Sequence, residues 1–370
     1  MSDFHGIIFA YGAESELGAL VGRRTSSSLP FCGRYRLIDF ALSSLANAGV
    51  NNVGVIMQQD YQSLLDHLGS GKDWDMSRRH GGLRMLPPFG LPEYHTGNYL
   101  GTVEALNAVS AYIHDIPKSH VILMHGNLAA NIDLEAAIQQ HLSTGSDITA
   151  ICSRVAPSPS GPHFVAGTDG FAKELIFDHA VGGAGMASLE TYIISKHLLL
   201  EMMEQCKKTN RLHFHRDAML SYLDGGGKIG IFMHEGYAKV ITTVEGYYSA
   251  NMDMLDAKNR ASMFPADRPV RTKNAEEVST YYGEDAFSSN SLVADGCIIE
   301  GSIRNCILFS AVHVEEGAEL DGCIIMKDSV IGKNVKLNAV ITDKNVSVSD
   351  STVLSGSPKM PYVVPKDASL

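Results

Sequence analysis

From about Asn290 the chain repeats itself, and this repetition constrains its fold more than any other feature. In the stretch SLVADGCIIEGSIRNCILFSAVHVEEGAELDGCIIMKDSVIGKNVKLNAVITDKNVSVSDSTVL, apolar or small residues recur at every sixth position. Val312, Ala318, Ile324 and Val330 form one such series and Ile325, Ile331 and Leu337 another, with Gly, Asp or Asn at the turns between them. This hexapeptide pattern predicts a parallel β-helix, whose stacked coils bury one continuous core. An antiparallel sandwich would instead alternate by two and carry fewer GC, DG and GK turns. The repeat is short beside a chain of 370 residues, so it reads as an appendage to a larger domain.

That larger domain has a different texture. Short runs rich in Ile and Val, namely GIIFAYG, VNNVGVIMQ, SHVILMHGN and SDITAICSRV, are followed by segments with helical periodicity such as Thr102 to Ile113 and Leu134 to Leu142. Their alternation predicts an α/β domain, Rossmann-like, with a mostly parallel sheet and helices on both faces. Ligands of such sheets bind beyond the carboxyl ends of the strands, so the loops after Phe9 and after Met124 are where chemistry is expected. The organisation read from the sequence is residues 1–255 as the α/β domain, 256–289 as a polar linker and 290–370 as the β-helix. The proline-broken tail SGSPKMPYVVPKDASL is expected to run extended over the surface.

A formal net charge of −11 argues against nucleic-acid and anionic-membrane surfaces, which call for a basic face. No apolar run approaches the roughly 20 residues that span a bilayer, and the N-terminus lacks the pattern of a signal peptide. A cytoplasmic protein is expected. The six cysteines include no CxxC pair and read as small core residues rather than as a disulfide framework or zinc site. His213 and His215 have the spacing of strand neighbours that could start a metal site, but no third ligand accompanies them.

The segment LPFCGRYRLIDFALSSLANAGVNNVGVI resembles the P-F-G-G-[KR]-[YF]-R-[IL]-I-D-F-x-L-S-N motif of the ADP-glucose pyrophosphorylases, which make ADP-glucose from ATP and glucose 1-phosphate for glycogen or starch. NYLGTVEAL, TVEGYYSANMDML and NSLVADGCIIEGSI are similar to further motifs of the family. The resemblance covers nearly the whole chain and implies a nucleotidyltransferase domain followed by a left-handed β-helix.

Set against the family's motifs, the positions that carry catalysis are altered. The phosphate loop G-G-G-x-G-T-R-L falls on Ala10 to Leu17, which leaves Gly12 but puts Glu16 in place of the arginine. The lysine of R-A-K-P falls on Ser26. The two aspartates that hold Mg²⁺ in active relatives fall on Asn127 and Val240, and an amide and a valine do not replace two anionic ligands. The lysine that pairs with the glucose phosphate falls on His179. Glu190 stands where a glycine lets the sugar approach. Tyr99, Gly101, Thr102 and Ser188 match ligand-contacting positions, where either contact with ligand or packing and turn geometry explains the residue. Arg23 and Arg36 match positions that help to bind an anionic effector between the domains, with Arg34 beside them; the other reading of GRYR is a solvated charge cluster.

These changes imply a catalytically deficient homologue with no metal or cofactor of its own. It resembles the non-catalytic subunit of the two-component enzymes of Gram-positive bacteria. The expected partners are a catalytic paralogue in a heterotetramer, further copies of itself in isolation, and a sugar-phosphate or nucleotide effector. One alternative is an active nucleotidyltransferase with displaced metal ligands such as Asp133, Glu245 or His125. Another is an acyltransferase, for which only His313 lies within the repeats.

Overall fold

The Ile- and Val-rich runs become strands because each is buried on both faces. Phe4–Phe9 is buried throughout and lies at the centre of a mixed sheet, parallel to Val53–Ile56 on one side and to His120–His125 on the other. Its side chains alternate between two cores: Ile7 and Phe9 join Leu123 and Tyr192 on one face, while Ile8 joins Ile122, Leu42 and Ile193 on the other. Leu83–Leu86 extends the parallel half. Beyond His120–His125 the long strand Met186–Ser195 runs antiparallel and pairs with Ile148–Ser153 and His163–Ala166; Ile229–Met233 and Ala172–Ile176, beside these two, complete nine strands among the described residues. The computed structural model describes residues 3–12, 14–88, 98–155, 161–177, 185–274 and 277–370. Among these, no helix is long and apolar enough to cross a membrane.

The C-terminal region winds into three parallel five-stranded sheets, the architecture of the left-handed β-helix. Ile307, Ile324 and Ile341 stack in register, so the regular coil takes 17 residues. Three hexapeptides would take 18, and the missing residue breaks the simple series of sixes. Val330, expected in the core, pairs with His313 and is 38% exposed, while Ile331 beside it is fully buried.

Two expectations about the boundaries of this domain change. The first coil begins before Asn290, because Tyr281–Tyr282 and Phe287–Ser289 pair with Ile298–Ile299 and Ser302–Arg304. The preceding segment holds the helix Ala257–Met263 and is fastened to the α/β domain. There Trp74 Nε1 donates to the Arg271 carbonyl at 3.1 Å, and Arg271 N–H donates to Ser43 Oγ at 2.8 Å. The tail is mostly exposed, as expected, but part of it joins the fold. Tyr362–Val364 adds the last strand beside Val340–Thr342, with Val364 buried.

The domains share a core. Leu29, Phe31, Phe40 and Tyr247 pack with Ile307, Ile324 and Ile341. Beside it Arg24, in the segment after the phosphate loop, reaches Asp343 of the β-helix; Arg24 Nη2 donates to both carboxylate oxygens at 2.5 Å, and both residues are buried. All six cysteines are free thiols, and all but Cys32 are buried, as small core residues are.

Candidate functional site

The loops after the two central strands lie side by side, since Gly126 N–H donates to the Phe9 carbonyl at 2.9 Å. A Cβ on Gly12 would stand 2.7 Å from Asn127 Nδ2 and 3.1 Å from Ser26 Oγ, so this glycine is held by the packing of its neighbours. The two positions matched to metal-binding aspartates do meet. Asn127, buried, donates through Nδ2 to the Ile241 carbonyl at 3.0 Å, and Ile241 N–H returns a bond to the Asn127 carbonyl at 3.0 Å. Val240 lies opposite Leu128 in the short strand pair and packs against the core.

The side chains at this place do not fit Mg²⁺. The amide nitrogen is committed to a backbone carbonyl, a bond that a carboxylate has no proton to make, and Val240 offers no oxygen. Among the described residues no three His, Cys, Asp or Glu side chains form a group that could hold a metal. The residues considered as displaced ligands have other work or other positions. Asp133 caps the helix Leu134–Thr144 and pairs with Arg268 at 3.3 Å, Glu245 is exposed, and His125 faces Glu190. Ser26 is fully buried, which leaves no room for the lysine of the family motif, and Glu16 is exposed on the helix Glu14–Leu17. His179 lies outside the described residues.

Above this floor is a cavity of about 420 Å³, lined by Gly12, Tyr99, Gly101 and Thr102 together with Tyr11, Gln58, His125, Glu190, His213 and His215. Two of its matched residues also have structural contacts. A Cβ on Gly101 would stand 2.2 Å from the Leu212 carbonyl oxygen, and Thr102 Oγ1 accepts from Phe214 N–H at 3.1 Å. Ser188 is buried behind the lining, where its hydroxyl meets the Tyr192 hydroxyl at 2.8 Å and accepts from Glu190 N–H at 3.0 Å. That turn holds Glu190 at φ 51°, the left-handed conformation that glycine adopts freely. Its carboxylate projects between two imidazoles, 3.5 Å from His125 Nε2 and 3.9 Å from His215 Nε2. Burial lowers the pKa of both histidines, and Glu190 opposes this only in part.

A second cavity of about 550 Å³ opens between the domains. Arg34 and Arg36 line it from the α/β domain, joined by Arg260, Lys273, Lys327 and Lys344, with Glu277 and Asp295 as the acids. Arg36 Nη1 donates to the Ser63 carbonyl at 2.6 Å and to Ser63 Oγ at 2.9 Å, and burial lowers its pKa to about 10. Lys344 is brought down to about 7, first by burial and then by Arg36 and Arg24. Among the described residues Arg34 donates through Nη2 to Asn274 Oδ1 at 3.5 Å. Arg23 stands apart from the cluster, exposed and paired with Asp367 at 3.1 Å.

The four further cations escaped the reading of the sequence because they come from distant segments. The one available signal was the coil length: Ser310, Lys327 and Lys344 are spaced by 17 and occupy one turn on successive coils.

Comparison with known proteins accords with both halves of the fold. Residues 5–163 match the family described as nucleotidyl transferase, and residues 274–359 match the GlmU-like, C-terminal hexapeptide family. Over 365 residues the chain is 31% identical to the "Glycogen biosynthesis protein GlgD" of Bacillus subtilis (strain 168), covering 98% of this chain and 95% of that protein. It is 28% identical to the glucose-1-phosphate adenylyltransferases of Bacillus thuringiensis (strain Al Hakam), over 355 residues, and Bacillus cereus (strain Q1), over 352, with 94% of this chain and 93% of each relative covered. With this end-to-end similarity and both domains in the same order, the chain belongs to the ADP-glucose pyrophosphorylase family, the glucose-1-phosphate adenylyltransferases.

Proposed function

We propose that this chain is a catalytically deficient, regulatory subunit of an ADP-glucose pyrophosphorylase in glycogen biosynthesis, assembling with a catalytic paralogue and tuning it. The observation that carries this reading is the bond from Asn127 Nδ2 to Ile241, with Val240 beside it, where the active enzymes need two carboxylates. Loss of one well-placed electrostatic stabiliser costs about 2.7–4 kcal/mol, or roughly 10²–10³ in rate. Here the metal carboxylates, the loop arginine and the loop lysine have all been replaced.

The basic interdomain cavity supports the regulatory half of the proposal. Arg36, Lys344 and Lys327, the last paired with Glu277 at 2.8 Å, line there a space suited to a sugar phosphate or nucleotide effector. Arg34 stands at its edge, while Arg23, held by Asp367, serves the tail instead. Assembly is supported by the outward column Tyr281, Ile298 and Val330, all exposed on one β-helix sheet, a surface suited to the catalytic subunit or to a second copy in its absence.

Two measurements test the proposal. The isolated chain, given ATP, glucose 1-phosphate and Mg²⁺, is expected to show no turnover comparable to that of the active enzymes. Titrated into the catalytic paralogue, it is expected to change both ADP-glucose synthesis and its dependence on sugar phosphates. Turnover by the isolated chain, or a titration without effect, refutes it.

A further inference from the structure

We infer that Lys344, in the basic cleft between the domains, is a carbamylation site, whose amine takes up carbon dioxide and becomes an anionic carbamate. Six lysines and arginines line the cleft, and five of them have partners for their head groups. Arg34 donates to Asn274, Arg36 to Ser63, Arg260 Nη1 to the Met254 and Leu255 carbonyls at 2.8 and 2.7 Å, Lys273 Nζ to the Asp66 carbonyl at 2.7 Å, and Lys327 Nζ to Glu277 at 2.8 Å. Lys344 Nζ, half-buried, makes no hydrogen bond or ion pair among the described residues. Its neighbour Asp343 is committed to Arg24 and to the Lys344 backbone N–H.

An ammonium left without a partner in such a place gives up its proton readily. Burial and the charges of Arg36 and Arg24 from the α/β domain and of Lys366 from the tail oppose it, and Asp343 offsets them only in part. With the pKa brought down to about 7, about half of the group is free amine at pH 7, against about one part in 3,000 for a lysine at 10.5. The Nζ lone pair attacks the carbon of CO2, one C–O π bond opens to give the carboxylate, and the proton leaving nitrogen passes to water or bicarbonate. Charge selects this electrophile over others. An aldehyde would form an imine whose protonated state keeps a positive charge among the same cations, and an acyl group needs an activated donor. Carbon dioxide reacts unaided, is uncharged as it passes the cations, and leaves an anion where they are in excess. Arg36 keeps Nε and Nη2 unengaged among the described residues, donors of the kind that hold a carboxylate. Addition turns a cation of the cleft into an anion, so dissolved CO2 would set its charge.

The inference goes beyond the regulatory reading and is tested without paralogue or effector, on the isolated full-length chain, so its failure would leave that reading standing. The chain is equilibrated with isotopically labelled bicarbonate at mildly alkaline pH, any carbamate is trapped as its ester by an alkyl oxonium salt, and peptide mass spectrometry locates the label. Lys344 is expected to carry at least about tenfold more label than exposed lysines such as Lys258. At fixed dissolved CO2 the label should rise as pH increases through about 7. In carbon NMR of the untrapped protein, K344Q should lose one carbamate resonance and keep that of the α-amine. R36Q should lower occupancy at Lys344 several-fold, since Arg36 favours both the free amine and the anion formed from it. Lys344 labelled no more than Lys258 would overturn the proposal, as would carbamate resonances undiminished in K344Q or occupancy unaffected by R36Q.

Discussion

Asn127 shows how a side chain at a position matched to a metal ligand takes up a structural task. As an amide it donates to the Ile241 carbonyl; as a carboxylate it would press a buried charge against that same oxygen. N127D is therefore expected to destabilise the fold by about 1–3 kcal/mol, seen as a lower denaturation midpoint, without conferring turnover. A gain of ADP-glucose synthesis in N127D would show the site to be one substitution from activity. The sequence made the loss of the aspartate legible, because the flanking motifs align the position. It did not disclose the bond to Ile241, whose partner lies 114 residues away. Nor did it show that the Leu212 carbonyl leaves no room for a Cβ at Gly101. Such distinctions depend on atoms brought together only by folding.

Among the elements, the β-helix was the most legible and also the source of the clearest error. Its six-residue pattern exposed the architecture, yet the coil of 17 residues sets which side chains turn inward, and Val330 falls outside for that reason. The same coil length brings Lys327 and Lys344 onto one turn facing Arg36. Lys344 has a pKa of about 7 in the fold, against 10.5 when unperturbed, so between these values the unfolded chain binds more protons. Stability due to this group therefore rises with pH across that window and is lost as pH falls through about 7. Anion binding has the opposite sign, because a phosphate in the cleft favours the charged amine and takes up a proton. The affinity for a sugar bisphosphate is expected to fall as pH rises through about 7. K344Q should flatten this dependence in calorimetric titrations, and an unchanged pH profile in that variant would remove Lys344 from the site.

Over the whole molecule, the two domains are joined by a shared apolar core and by the buried ion pair of Arg24 and Asp343. Removing one partner of such a pair leaves an uncompensated charge, whereas replacing both with apolar groups is often tolerated. D343A is expected to cost about 3–5 kcal/mol, and R24M/D343L to recover most of it, as measured by chemical denaturation. If D343A matched the parent protein in stability, the pair would not be fastening the domains. At the outer face, I298D should reduce association in sedimentation experiments without lowering Tm, since Ile298 is exposed on the sheet rather than packed within it. The strand Tyr362–Val364 has a further consequence during synthesis. Proteins are made from the N-terminus, so Val340–Thr342 keeps an unsatisfied hydrogen-bonding edge until those last residues have left the ribosome. A polypeptide released before Tyr362 would carry that edge into the cell as an adhesive surface, a natural mark for quality-control proteases.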